Sequence, residues 1–258
     1  EEEAPAVEFR DVSFSYDPGE PVIQELSLKC PPGTVTALVG PSGGGKSTLA
    51  RLIARFWDVD SGTVLVNGRD VRDQPSRELL SSMSLVFQDV MLSTDTVRAN
   101  IALGNADATE AEIEEAARAA CIHDRIMQLP DGYDTIIGEG AHLSGGEAQR
   151  LTIARAFLAA SPILILDEAT AQADSHSERL IQQAISNLAQ KRTVIVIAHR
   201  LSTIQGVDQI AVIDTGRLVE LGTHDDLLAQ DGPYARLWRN QTNITHALEG
   251  LRGKEQAC

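Results

Sequence analysis

Residues Gly40-Pro41-Ser42-Gly43-Gly44-Gly45-Lys46-Ser47-Thr48 follow an apolar run at 34–39 and open a periodic stretch through Leu49, Leu52 and Ile53. The spacing is G-x-x-x-x-G-K-S, set in the strand–loop–helix context that such a loop requires. Its glycines let the backbone curl until successive N–H groups point inward at phosphate oxygens. The helix N-terminus adds partial positive charge at the same place. Lys46 then reaches the β- and γ-phosphates, and the Ser47 hydroxyl takes a place on Mg²⁺. A Gly-rich turn beside a surface lysine would be the plain alternative, but the flanking strand and helix argue for phosphate binding.

The rest of the chain alternates short apolar runs with helical stretches, the pattern of a largely parallel sheet covered by helices. The first third is strand-rich, at 7–15, 22–28, 34–39 and 63–66, and the last of these turns at Asn67-Gly68, a hairpin signal. Later runs lie at 84–87, 163–166, 194–198, 209–213 and 218–221. The continuous runs 163–166 and 194–198 read as central strands buried on both faces. Between 87 and 163 no strand is expected. There, Ile113, Ala116, Ala117 and Ala120 share a helical face, and Thr109 with Glu112 forms a capping box. Residues 1–88 and 161–240 are therefore read as a core with a β-rich N-terminal part, 89–160 as an inserted helical subdomain, and 241–258 as a flexible tail.

Composition narrows what a phosphate loop serves here. The 258 residues carry 22 Lys and Arg against 37 Asp and Glu, a net charge of −15. So acidic a chain is a poor partner for nucleic acid, and with 4% aromatics it offers no stacking platform. Any polyanion it holds is held by a local device. Cys30, Cys121 and Cys258 show no close pairing, which excludes a disulfide framework or thiolate zinc site and suggests a reducing compartment. No stretch approaches the 18 or so apolar residues of a membrane span, and Glu1-Glu2-Glu3 does not begin a signal peptide.

Two further segments complete the pattern. The run 163–166 ends in Asp167-Glu168, where carboxylates at the C-terminal end of a strand can orient Mg²⁺ and polarise an attacking water. Taken alone, the pair could equally cap the next helix. Leu143-Ser144-Gly145-Gly146-Glu147 precedes a helical stretch, with Ser144 and Glu147 spaced as a capping box and the helix N–H groups open to an anion.

In this order the three segments resemble the nucleotide-binding domain of the ATP-binding cassette (ABC) transporter family, exporter type, over roughly residues 7–240. The resemblance implies an α/β P-loop NTPase core with a mainly parallel sheet, an N-terminal antiparallel β subdomain and an inserted α-helical subdomain. It also implies a head-to-tail homo- or heterodimer that binds ATP and Mg²⁺ between the loop 40–48 of one subunit and the signature Ser144, Gly145, Gly146 and Glu147 of the other. By the same resemblance Tyr16 stacks on adenine. Gln88 senses the metal and the membrane partner, Glu168 is the base, His199 contacts the γ-phosphate, and Asp174 crosses to the partner subunit. The segment 135–140 resembles the one that exporters use to touch their membrane domains. Glu147 stands where Gln is commoner, Ala148 where a basic residue is common, Ala173 where Leu is usual and Gly44 where Ser or Ala is frequent. None of these departures removes a catalytic group. The expectation is an ATPase at the cytoplasmic face of a membrane, soluble by itself, whose transmembrane domain belongs to the same full-length polypeptide. Intact Lys46, Asp167, Glu168 and His199 argue against a scaffold that no longer hydrolyses.

Overall fold

The computed structural model describes residues 4–87, 90–138, 142–167, 175–198 and 200–242. In chain order the elements are β1 (Val7–Ser15), β2 (Pro21–Cys30), β3 (Val35–Val39), α1 (Lys46–Ile53), β4 (Ser61–Val66), β5 (Arg69–Asp70), α2 (Ser76–Ser81), β6 (Met83–Val86) and α3 (Val97–Ala102). There follow α4 (Glu110–Ala119), α5 (His123–Ile126), α6 (Gly145–Ala159), β7 (Ile163–Asp167), α7 (Ser175–Ala189), β8 (Thr193–Ile197), β9 (Gln209–Asp214), β10 (Arg217–Gly222) and α8 (His224–Ala229). The chain forms two compact units, one from Glu1–Gln74 with Ile195–Cys258 and the other from Pro75–Val194.

The first unit contains an antiparallel sheet of order β2-β1-β4-β5. Phe9 pairs with Leu28 on one side and Val64 on the other, which buries alternate apolar residues of β1. The β4–β5 turn is Asn67-Gly68, both at positive φ (51° and 74°), the backbone that a two-residue hairpin selects. In the same unit β3 runs parallel to β9, and β10 pairs antiparallel with β9. The Ala198 N–H bonds Leu38 O and brings the end of β8 to β3. Around these strands Ala37, Val39, Leu201, Ile204, Ile210, Val212, Leu227 and Tyr234 close into one apolar cluster.

The second unit has β6 and β7 in parallel register, Met83 opposite Ile163 and Val86 opposite Leu166. Ile163, Leu164, Ile165 and Leu166 are all buried, as a continuous apolar run requires. Each contributes about 1.5–3 kcal/mol of transfer free energy. Between β6 and β7 the described residues form helices and one isolated bridge, Thr96 to Ile136, with no strand. Thr109 caps α4 through the expected capping box, and Ile113, Ala116 and Ala117 face inward. The neighbours of α6 are α3, α4 and α7, so it is buried on several sides rather than along one stripe.

Candidate functional site

The loop after β3 is shaped by what lies behind it. Gly40, Gly43 and Gly45 take positive φ (139°, 78° and 99°). A Cβ on Gly40 would fall 1.9 Å from Ile213 O, and one on Gly45 would fall 2.7 Å from Ile23 Cδ1. Gly44 is tied on both sides, its N–H to Pro41 O and its O to the Gly216 N–H, each at 3.1 Å. The back of the loop therefore rests against β2 and the β9–β10 turn. Its front is open, because a Cβ on Gly43 would meet nothing within 4 Å, and Pro41, Ser42 and Gly43 are exposed.

Lys46 begins α1 and is buried, yet its Nζ donates to Gly40 O at 3.0 Å and Pro41 O at 2.8 Å, so the ammonium lies across the loop. The first turn of α1 holds no acidic residue. Uncancelled helix N–H groups and a buried cation next to an open glycine-rich face suit a polyphosphate. Ser47 is half-buried, and Thr48 is buried.

Tyr16 follows β1 and belongs to the same unit. Its hydroxyl lies 3.2 Å from Thr48 Oγ1 and accepts from Arg51 Nη1 at 3.2 Å. Phe14 and Trp57 stand nearly perpendicular to its ring, with centroids 4.8 and 5.3 Å away and 6.1 Å from one another. Those distances place the two neighbours less than a right angle apart as seen from Tyr16. The two therefore do not sandwich the ring, which is half-buried.

In the second unit Asp167 ends β7, half-buried. Ser144 and Gly145 are exposed at the start of α6. The Ser144 Oγ accepts from the Glu147 N–H at 3.3 Å, and Glu147 Oε2 accepts from the Ser144 N–H at 2.9 Å. Glu147 Oε1 also accepts from Arg125 Nε at 2.8 Å. Burial pushes the Glu147 carboxyl up, but the Ser144 amide and the Arg125 guanidinium outweigh it and leave the pKa below its ordinary value. Gln149 of α6 donates to Phe87 O at 3.3 Å, just past the end of β6. Gln88, Glu168, Asp174 and His199 lie outside the described residues, as do Ala173, Glu139 and the tail from 243 onward.

Spacing in the chain pointed to the loop and to the Ser144–Glu147 cap. The Thr48, Arg51 and Trp57 contacts to Tyr16, and that of Arg125 to Glu147, are made through space and carry no short-range signal. Among the described residues no helix is long and apolar enough to cross a membrane.

Residues 23–171 match the family model described as ABC transporter. The Mycobactin import ATP-binding/permease protein IrtA of Mycobacterium tuberculosis is 58% identical over 97% of this chain, and the chain spans 30% of that relative. The ATP-dependent lipid A-core flippase of Desulfotalea psychrophila is 49% identical over 92% of the chain, which spans 41% of it. A solved bacterial Atm1-family ABC exporter with ATP bound superposes with a TM-score of 0.87 at 46% identity, covering 92% of this chain and 42% of that one. The chain thus spans less than half the length of these relatives. It belongs to the ABC transporter family, as a nucleotide-binding domain of the exporter type.

Proposed function

We propose that the chain binds ATP with Mg²⁺ and hydrolyses it in a head-to-tail dimer, powering an exporter-fold ABC transporter at the cytoplasmic face of a membrane. The observation that carries this reading is the loop 40–48, open in front, packed behind, and crossed by the Lys46 ammonium. Its backbone N–H groups and Lys46 would bind the phosphates, and Tyr16 would take the base.

Among the described residues no group of three or more His, Cys, Asp or Glu assembles into a metal site. A hard cation at this site would be carried mainly by phosphate oxygens, with a few oxygen donors from the protein. Ser47, Asp167 and Gln88 would hold Mg²⁺, which when bound neutralises charge on the phosphates. Glu168 would draw a proton from the attacking water, and His199 would orient that water toward the γ-phosphorus. In-line attack then breaks the bond to the β–γ bridging oxygen. Ser144, Gly145 and Gly146 of the second subunit would bind the γ-phosphate from the other side, with Glu147 capping their helix and Asp174 crossing the interface. Closure with ATP and opening with ADP and phosphate would transmit work as a population shift.

The relatives' printed names join ATP-binding and permease functions, which supports a transmembrane domain linked to this one in a longer polypeptide. In the second unit Leu80, Met91 and Leu103 expose apolar surface around a cavity of about 480 Å³ that Met83 and Phe87 also line. An apolar segment of the membrane domain would seat there, and the exposed Ile136 of the segment 135–140 would meet that domain separately. Those same names run from mycobactin import to lipid A-core flipping, so the ATP-driven step, not the cargo, is what this domain supplies.

The test is Glu168→Gln, followed by light scattering with and without Mg-ATP and by ATPase assays. A dimer formed only with ATP, together with lost hydrolysis, is the expected result. Unchanged hydrolysis would remove Glu168 from the mechanism, and a monomer at every protein concentration would remove dimerisation of the chain by itself.

A further inference from the structure

The Tyr16 side chain is held at both ends. At the hydroxyl Arg51 donates and Thr48 Oγ1 shares a hydrogen bond, which makes a line Arg51–Tyr16–Thr48 that ends in the first turn of α1. At the ring, Phe14 and Trp57 make the two perpendicular contacts. Phe14 is 2% exposed, a core residue of β1 whose presence burial explains. Trp57 is 49% exposed, so burial explains it poorly, and of its two ring contacts the one with Tyr16, at 5.3 Å, is shorter than the one with Phe14, at 6.1 Å.

We infer that Trp57 is a positioning residue for the base of the nucleotide, fixing the plane of Tyr16, while the Arg51–Tyr16–Thr48 line ties that plane to the helix whose N-terminus holds the phosphates. The inference rests on the reading of Tyr16 as the base-stacking aromatic. A tyrosine free to rotate loses side-chain freedom each time a base stacks on it, whereas a ring already fixed loses little. Trp57 therefore acts through Tyr16 and on the base alone, and the grip on the phosphates is independent of it.

The experiment compares the unaltered chain with Tyr16→Ala, Tyr16→Phe, Trp57→Leu and Trp57→Phe. It reads the affinity for Mg-ATP by calorimetry, KM and kcat for ATP, and the inhibition constant of inorganic triphosphate, which has no base. Trp57→Leu is expected to weaken ATP binding and raise KM by about three- to tenfold, the range of one aromatic pair, with kcat within about twofold. Trp57→Phe should restore most of the affinity, Tyr16→Phe should fall between, and triphosphate inhibition should be unchanged in all four. Wild-type ATP affinity in Trp57→Leu, when Tyr16→Ala is weakened, would overturn the role of Trp57 and leave Tyr16 as the platform. Equal weakening of ATP and triphosphate would mark Trp57 as a structural residue of the unit. A Tyr16→Ala chain that binds ATP normally would remove the platform and the inference with it.

Discussion

Gly40 and Gly43 sit three residues apart in one loop, both at positive φ, and only one of them is also packed against backbone. At Gly43 an alanine would meet empty space, so the cost is the left-handed backbone alone, about 1 kcal/mol. At Gly40 the same methyl would need the Ile213 carbonyl to move, and overpacking adds to strain for a total of about 3 kcal/mol. The midpoint of urea denaturation should therefore fall clearly further for Gly40→Ala than for Gly43→Ala, and equal shifts would mean that the loop's back is not a rigid contact. Nucleotide binding should follow the same order, because a Gly40 displaced from Ile213 carries Pro41 with it, and the carbonyls of both receive Lys46.

The start of α6 combines a capping box with an ion pair on a single carboxylate, since Glu147 serves the Ser144 amide with one oxygen and Arg125 with the other. Glu147→Gln would keep an acceptor for the amide and lose the charge facing Arg125, at a cost of about 1 kcal/mol near neutral pH. Because the folded carboxyl sits below its ordinary value of 4.5, that contribution is complete above pH 4.5 and disappears as pH falls through the lowered folded value. Denaturation midpoints of the two chains should thus differ at pH 7 and converge in acid. A gap that persists in acid after the carboxyl has been protonated would assign the loss to shape rather than charge. Both capping boxes, at Thr109 and Ser144, were legible because their partners lie three residues apart, and β7 was legible because a buried strand needs an unbroken apolar run. The Asn67-Gly68 hairpin was readable for the same local reason, whereas α2 and α5 are too short to show a helical period. Arg125 beside Glu147, Ile213 behind Gly40 and Trp57 against Tyr16 are separated by many residues, and nothing in their local sequence announces them. The glycine-rich loop and the Ser144–Glu147 cap were thus readable as segments, but the contacts that hold each of them in position were not.

A charge of −15 on this chain bears on the proposed dimer where both subunits are copies of it. Two such molecules repel over long range, and each bound nucleotide adds negative charge, so approach is opposed before any contact forms. The contacts proposed for the interface are of another kind, helix N–H groups and loop amides aimed at a phosphate held between them, and these act at short range with water excluded. Salt reaches the first effect and hardly the second, because the screening length falls from about 30 Å at 0.01 M to about 8 Å at 0.15 M ionic strength. The dissociation constant of the Glu168→Gln dimer in Mg-ATP, measured by sedimentation, should therefore tighten several-fold between those two conditions. Dimers held by surface ion pairs behave in the opposite way and weaken as salt rises. Weakening here would mean that complementary charged patches draw the subunits together despite their net charge, and the phosphate-centred account of the interface would fail.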